Sequence, residues 1–389
     1  MKLVWFSEIK WTYLRTRKQQ LLRRLPPDWS ILFIEPYVRN RDNTRSPRTE
    51  GRVTYATIPF MKSTPSRLLN HLQSMGVVRG LWERLTFRGV GRLLRETGFD
   101  RPDVVCTSNI FYANIIRRLQ PPLVVYDLND YPLGFVNHLP SAPAYFERTL
   151  QVADRVVTTS ATQMEFVKPF RREGCAIIGN GVDYSLFAAG AQAPAPEELR
   201  TLARPIICFS GVFASWVNVD LLAAIASRAP SASLVLIGPI REPATREQMS
   251  RLQKLPNVRY LGERPHDRLP PYLAHADLGV LPFHVTRRTQ GANPNTMYEF
   301  LAAGTPVVTF GLSAEVRALA PDIDVVDTEE EFVSAVLKRL GRDDADPKRL
   351  TAIAEANDWR RKADEYAALI RRALSKGDTA MAPPRPAVL

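Results

Sequence analysis

Two successive series of short β-branched runs, each alternating with helix-length amphipathic segments, predict an α/β chain of two doubly wound, Rossmann-like halves. The first series includes residues 3–6, 29–35, 103–107, 123–126 and 155–160. The second includes residues 206–211, 233–239, 258–265, 278–281 and 307–309. An Ala/Pro-rich stretch, residues 188–205, separates them and reads as a linker. At 389 residues the chain is long enough for two domains.

The first half opens with a strand at residues 3–6. Residues 8–24 read as a helix: Leu14, Leu21, Leu22 and Leu25 recur near helical spacing, and Arg15, Arg17, Lys18, Arg23 and Arg24 form a basic face. Trp5, Trp11, Tyr13 and Trp29 interleave with these bases, which suits a core helix and also base stacking or insertion at a membrane interface. Residues 39–52 read as a polar loop or ragged hairpin, 53–59 as an alternating strand and 61–65 as a turn. Leu81, Leu85, Val90, Leu93 and Leu94 predict a helix over 81–95, and a further helix covers 111–119. Residues 122–131 (Pro-Leu-Val-Val-Tyr-Asp-Leu-Asn-Asp-Tyr) place Asp127, Asn129 and Asp130 at or beyond the carboxyl end of a buried strand, where doubly wound sheets gather reactive groups. Two carboxylates there suit metal binding, acid–base work or capping of the next segment. Ser160 is placed to cap a helix, and Gly179-Asn-Gly-Val-Asp183 closes the half with two glycines for tight turns.

In the second half Gly211 ends the first strand and lets backbone approach a phosphate. A loop at 212–218 leads to a helix at 219–229. Arg264 lies in the loop after the 258–265 strand, and a short helix covers 269–276. After the 278–281 strand a polar loop carries Arg287, Arg288, Gly291, Asn293, Pro294 and Asn295. It runs into a helix at 296–303 that Gly304 and Pro306 terminate. A loop from a strand into a helix N-terminus suits an anion, because unpaired amides and the positive helix end face it. Glu299 lies about one turn into that helix among apolar neighbours. A carboxylate there suits the hydroxyls of a ribose, or else a solvated helix face. Helices at 329–340, 347–354 and 357–375 follow, and the tail from residue 376 is expected to be disordered.

The string Asn293-Pro-Asn-Thr-Met-Tyr-Glu-Phe-Leu-Ala-Ala-Gly-Thr-Pro-Val-Val308 resembles the donor-binding signature of the GT-B glycosyltransferases, in particular the retaining group 1, or family 4, enzymes. Gly-Asn-Gly-Val-Asp resembles that family's end-of-domain signature, and the Arg-rich segment 15–22 the first helix of its exopolysaccharide and cell-wall polymer branch. The resemblance implies two Rossmann-like domains facing across a cleft: an acceptor domain at 1–187, a linker at 188–205, a nucleotide-sugar domain at 206–356 and a closing helix at 357–375. It implies that Glu299 holds the donor ribose, that Asn293, Asn295 and Thr296 meet the sugar and diphosphate, that Gly211 belongs to the glycine loop, and that Arg264 walls the nucleobase. Many members carry Arg and Lys clamps after the glycine loop. Ser215, Trp216 and Asn218 stand there instead, so Arg287 or Arg288 is a replacement charge. The usual second glutamate is Gly291, which leaves the donor sugar open. The resemblance places an acidic or histidine residue in this segment, near the acceptor and anomeric carbon; Asp130 and Asp127 are the catalytic candidates, Asp130 before Asp127, which suits a structural role better.

The implied reaction moves a sugar from a nucleotide-sugar to a glycan or lipid-diphosphate-linked acceptor in bacterial polysaccharide synthesis, with retention, without a metal or other cofactor. Residues 1–100 hold 19 Lys/Arg and 8 Asp/Glu, so +11 of the total +12 lies in the first quarter. That excess suits an anionic membrane surface, and a cytoplasmic protein peripheral on the inner face of the membrane. A nucleic-acid-binding protein is the rival that the charge allows, without a known motif, and a sugar-nucleotide epimerase is the rival within the fold. The N-terminus lacks a signal-peptide apolar core, and there is no apolar run of membrane-spanning length. Cys106, Cys175 and Cys208 are too scattered for a zinc site or disulfide framework. Asp322-Ile-Asp324 matches a metal-binding DxD by pattern only, and the five histidines show no ligand spacing.

Overall fold

A computed structural model describes residues 1–38, 42–61, 64, 66–134, 138–341 and 346–375. The tail from residue 376 and parts of the 39–52 and 61–65 segments lie outside the described residues. The chain divides into two compact units, Met1–Ile178 with Ala363–Leu389, and Gly179–Lys362.

The strands of the first unit are β1 Lys2–Phe6, β2 Ser30–Pro36, β3 Arg48–Glu50, β4 Val53–Ile58, β5 Val104–Thr107, β6 Leu123–Leu128, β7 Arg155–Thr158 and β8 Cys175–Ile177. They form one sheet in the order β3-β4-β2-β1-β5-β6-β7-β8, parallel except for the short edge pair β3–β4. The second unit holds β9 Ile206–Ser210, β10 Ser233–Ile237, β11 Val258–Gly262, β12 Leu278–Leu281, β13 Val307–Phe310 and β14 Asp324–Val326. These pair in the order β11-β10-β9-β12-β13-β14, all parallel. Both sheets therefore start in the middle, build outward to one edge, return and build to the other. The order reverses between β1 and β5 in the first unit and between β9 and β12 in the second.

Residue choice explains the layering. Strands buried on both faces must be apolar at every position, since successive side chains point to opposite sides. In the second sheet Ile207, Phe209, Leu234 and Leu236 pack into one core cluster, and their neighbours Ile206, Cys208, Val235 and Ile237 into another. Helices cover both faces.

The predicted N-terminal helix begins later than its leucine spacing suggests, at Arg17–Arg24. The Glu35 carboxylate, at the end of β2, accepts the Trp11 amide at 2.9 Å and the Lys10 ammonium at 2.8 Å, which holds residues 10–11 outside any helical ladder. The helix then turns much of its basic face inward. Arg17 is 1% exposed and forks onto Asp127, itself 1% exposed, with Nε to Oδ1 at 3.0 Å and Nη2 to Oδ2 at 3.1 Å. Lys18 is equally buried and reaches Glu8 at 2.5 Å. Trp5, Trp11 and Trp29 are core residues, so of the two uses open to these aromatics, packing prevails.

Two further departures concern the expected elements. The Ala/Pro stretch 188–205 forms helical turns at Ala189–Gln192 and Glu197–Arg200 within the second unit, and the chain passes between units at 178/179 and 362/363. Gly190 seats there: an added Cβ would lie 2.6 Å from Pro270 backbone atoms. The helix expected at 81–95 starts earlier, at Gly76–Glu96, and follows another at Arg67–Ser74. Val90, Leu93 and Leu94 are buried as the spacing requires, but Leu81 and Leu85 are 58% and 50% exposed.

Because Arg17 and Asp127 are both dry, removing either leaves a buried charge without its counter-ion. Asp127→Ala should lower the unfolding free energy of the first unit by about 3–5 kcal/mol in urea denaturation. The three cysteines are unbonded, Cys106 and Cys208 buried and Cys175 half-buried. Burial pushes the Cys208 thiol up to about 12 and Cys106 higher still. In the folded protein only Cys175 should react promptly with a thiol reagent at neutral pH, and denaturant should release the other two.

Candidate functional site

The point where strand order reverses leaves a gap above the carboxyl ends of β9 and β12, because their following segments leave to opposite sides. Gly211 follows β9 directly. A Cβ on Gly238, which follows β10, would lie 1.8 Å from the Gly211 carbonyl oxygen, so the two loops meet backbone to backbone only because residue 238 is glycine. The loop after β9 is also bonded to the loop after β12. The Asn218 amide donates to the Pro282 carbonyl at 2.7 Å, the His284 amide to the Trp216 carbonyl at 2.9 Å, and Val217 pairs with Phe283. Asn218 then caps the next helix, accepting the Leu221 amide at 2.9 Å.

Arg288 joins the same two loops. Its guanidinium lies over the Trp216 ring, 4.2 Å from the centroid. That arrangement brings a guanidinium to the 215–218 loop, which has no basic side chain of its own, and it draws on the negative face of the indole. Arg287 is more exposed on the same turn. The turn itself is held by Thr286 and Thr289: the Thr286 amide donates to the Thr289 hydroxyl at 2.9 Å, and that hydroxyl donates on to the His284 carbonyl.

Gly291 adopts φ +84° and donates its amide to the Leu312 carbonyl at 2.7 Å, which turns the chain toward the helix Asn295–Ala302. Asn293 is 4% exposed, and its carbonyl accepts the Asn180 side-chain amide at 2.7 Å. Asn180 is the centre of Gly-Asn-Gly-Val-Asp. On its far side a Cβ at Gly181 would lie 2.2 Å from the Asn357 carbonyl, and the Val182 amide donates to that carbonyl at 3.0 Å. The motif thus clamps the 291–295 loop against residues 357–359, all within the second unit. Burial pushes the Tyr298 phenol up to about 12, against a hydrogen bond with Asn293.

The helix Asn295–Ala302 starts at Pro294, with no side chain capping it. The Asn295 Oδ1 is buried without a hydrogen-bond partner among the described residues, beside half-buried Thr296. One turn on, Glu299 is 9% exposed. Its Oε1 lies 3.2 Å from His266 Nε2, and since a carboxylate only accepts, that nitrogen carries the proton. His266 Nδ1 is buried without a partner among the described residues, and the ring stands edge-on to Phe187 at 5.2 Å. Sequence reading missed His266. It lies 33 positions from Glu299 in a turn with no pattern of its own, and the contact arises only in the folded sheet, whose parallel strands bring the carboxyl ends of β11 and β12 to the same side. Arg264, expected near a base, is turned onto Glu198 at 3.2 Å and toward the Tyr272 hydroxyl at 3.5 Å.

The other predicted residues lie elsewhere. Asp127 and Asp130 belong to the first unit. Asp127 is the buried partner of Arg17. Asp130 is exposed beyond β6 and accepts the Asn129 side-chain amide at 2.9 Å. Its loop is anchored by Gln163, which donates to the Asn129 carbonyl at 2.7 Å, and by Tyr131 stacked on Phe166 at 4.0 Å. Asp322 and Asp324, the DxD pair, lie on Arg349 and Arg339 respectively.

An Asn180→Ala change strips the Asn293 carbonyl of its donor. It should cost about 1–3 kcal/mol in the unfolding of the second unit. Hydrogen–deuterium exchange over residues 289–296 should quicken in the same variant.

Residues 204–342 match the family described as glycosyl transferases group 1. A Bacillus subtilis (strain 168) protein assigned by name to teichuronic acid biosynthesis, the glycosyltransferase TuaH, is 29% identical over 195 residues. That match spans 48% of this chain, which thus aligns with 48%, about half, of the curated relative's length. Among solved structures, a Burkholderia xenovorans α,α-trehalose-phosphate synthase in complex with glucose-6-phosphate has TM-score 0.72 at 12% identity, covering 95% of this chain and all of its own. HepE of Anabaena in complex with UDP has TM-score 0.66 at 14% identity, covering 97% of this chain and all of its own. An E. coli trehalose-6-phosphate protein bound with UDP-2-fluoro glucose has TM-score 0.69 at 13% identity, over 96% and 99% of the two chains. The strand order and the family match agree: this is a chain of the GT-B fold, and residues 204–342 of its second unit match the glycosyl transferases group 1 family.

Proposed function

We propose that the chain transfers a sugar from a nucleoside-diphosphate sugar to a glycan or lipid-diphosphate-linked acceptor in the synthesis of a cell-wall or exported polysaccharide. The observation that carries the reading is Glu299: a nearly dry carboxylate one turn into the helix that follows the reversal point, oriented by His266. A carboxylate so held is built to accept two adjacent hydroxyls, and a ribose presents such a pair.

The remaining roles follow from position. The diphosphate lies against the uncapped start of Asn295–Ala302, where amides and the helix dipole favour negative charge. Asn293, Asn295 and Thr296 line it, and Gly211 lets backbone approach from the other loop. Arg288, stacked on Trp216, supplies the cation that many members of the resembling family carry after the glycine loop, with Arg287 beside it. Charge that develops on the departing diphosphate is then met by fixed donors and a guanidinium, which is how such sites accelerate transfer. The DxD carboxylates engage arginines, which supports a transfer that draws on no metal there. Retention of configuration is carried over from the family resemblance. Two of the liganded neighbours hold UDP or a UDP-sugar, which supports a uridine donor. Arg264 frames the base pocket with its backbone while its side chain holds Glu198. Asp130 is the acceptor-side carboxylate, and Asp127 is structural. The acceptor is membrane-borne, presented at an anionic surface.

A thermal-shift screen of nucleoside diphosphates and UDP-sugars tests this. Ligand at a hundredfold excess over Kd should stabilise the protein by about 2.7 kcal/mol. Glu299→Ala should weaken nucleotide binding roughly 10- to 100-fold, the loss of hydrogen bonds to a charged group. Arg288→Ala should weaken it roughly tenfold and steepen the loss of turnover relative to binding. No shift with any nucleotide in folded wild-type protein would overturn the reading.

A further inference from the structure

The exposed apolar residues of the first unit are concentrated on two consecutive helices, Arg67–Ser74 and the first half of Gly76–Glu96. Leu68 is 69% exposed, Val77 87%, Leu81 58% and Leu85 50%. Val77, Leu81 and Leu85 are spaced by four, so they form one row about 12 Å long on a single helix face. The same face continues to Arg88 and Arg92, both exposed, while Val90, Leu93 and Leu94 on the opposite side are in the core. One helix face is thus apolar over its first half and basic over its second. Trp82 flanks the row at 39% exposure.

Beside the row lies a concavity of about 550 Å³ lined by Arg79, Arg84, Arg117, Arg118 and Arg148. Its one acidic residue, Glu83, accepts from Asn114 at 2.5 Å and from the Tyr145 hydroxyl. Arg118 lies over the Phe87 ring at 4.1 Å and Arg148 donates to Asn114 at 2.8 Å, so both are held in place. The Arg117 Nε is buried without a hydrogen-bond partner among the described residues. A dry guanidinium nitrogen in a pocket of like charge calls for an anion.

We propose that this face, Leu68 to Leu85 with the adjoining arginine pocket, docks the protein on a bilayer containing anionic lipid. The apolar row enters the interfacial region, and the pocket and Arg88 take lipid phosphates. Charge complementarity selects this occupant. The two helices carry Arg67, Arg79, Arg84, Arg88, Arg92 and Arg95 against Glu83 and Glu96, and leucine interleaved with arginine is the pattern of helices that lie in a membrane plane. A second copy of the chain is a poor occupant, because self-association through this face sets two arginine clusters against each other. The inference names the surface for the proposed membrane-borne acceptor and rests on that reading for its purpose, while donor binding is measured separately.

Sedimentation with vesicles of phosphatidylcholine plus phosphatidylglycerol, against phosphatidylcholine alone, tests it. Wild-type protein should sediment with the anionic vesicles and be released by salt. The triple variant Val77→Ser, Leu81→Ser, Leu85→Ser, at exposed positions, should lose roughly tenfold or more in partitioning. Arg79→Ser with Arg117→Ser should lose the preference for phosphatidylglycerol. Brominated lipid should quench wild-type fluorescence more than that of Trp82→Phe. The UDP thermal shift should be the same in the triple variant as in wild type. Failure of wild-type protein to sediment, equal partitioning of the triple variant, or a concentration-dependent dimer abolished by the triple variant without vesicle binding would overturn the docking surface. Vesicle binding without any nucleotide shift would leave it standing and strike only the donor reading.

Discussion

The arrangement of the second unit depends on one topological constraint, the reversal of strand order between β9 and β12. Parallel strands need crossover helices, and reversing the direction of winding sends neighbouring crossovers to opposite faces. The two loops at that edge then have no helix over them, and here they bond to each other. Asn218 to Pro282, His284 to Trp216 and Arg288 over Trp216 make a single polar floor from segments about seventy residues apart. Gly211 and Gly238 let the backbones of adjacent loops touch beside it. Asn180 fixes the far wall from a different segment. A site so assembled has its loops held by bonds within the protein, and fixed donors are what an electrostatic site needs, since donors that must reorganise contribute less to a transition state.

Charge in the first unit divides into two populations with different physics. Lys10, Arg17 and Lys18 are enclosed and matched to Glu35, Asp127 and Glu8. In such pairs desolvation opposes attraction, so their main effect is to fix which residues meet: an unmatched register would strand a charge in the core. The arginines of Gly76–Glu96 and of the pocket beside it remain outside. A net charge read from composition merges the two. Three of the bases that composition assigns to an outer face, Lys10, Arg17 and Lys18, in fact belong to the internal framework that anchors the N-terminal helix to the sheet.

Particular residues show where sequence reading succeeds. Strand positions were legible because a strand buried on both faces must be apolar throughout. The turn into Asn295–Ala302 was legible because Pro, Asn and Gly are held there by backbone geometry. Glu299 stood out as a carboxylate among apolar neighbours. Leu81 and Leu85 misled, because helical periodicity identifies an apolar face without saying whether protein or something else covers it. Trp5, Trp11 and Trp29 carried the same ambiguity, and packing resolved it in favour of the core.

Local chemistry along the chain was sufficient for the α/β class, the two winding series, the loop-to-helix turn at 291–295 and the likeness at 293–308, since each depends on neighbours within about ten residues. Pairings across the chain were not accessible that way. His266 against Glu299, Asn180 against Asn293, Arg288 on Trp216 and Arg17 on Asp127 join segments separated by tens of residues or more. No one-dimensional pattern encodes them, because they exist only once strand order places the segments side by side. The same is true of the division between buried and exposed arginine, which is a property of how helices pack and not of the residues themselves.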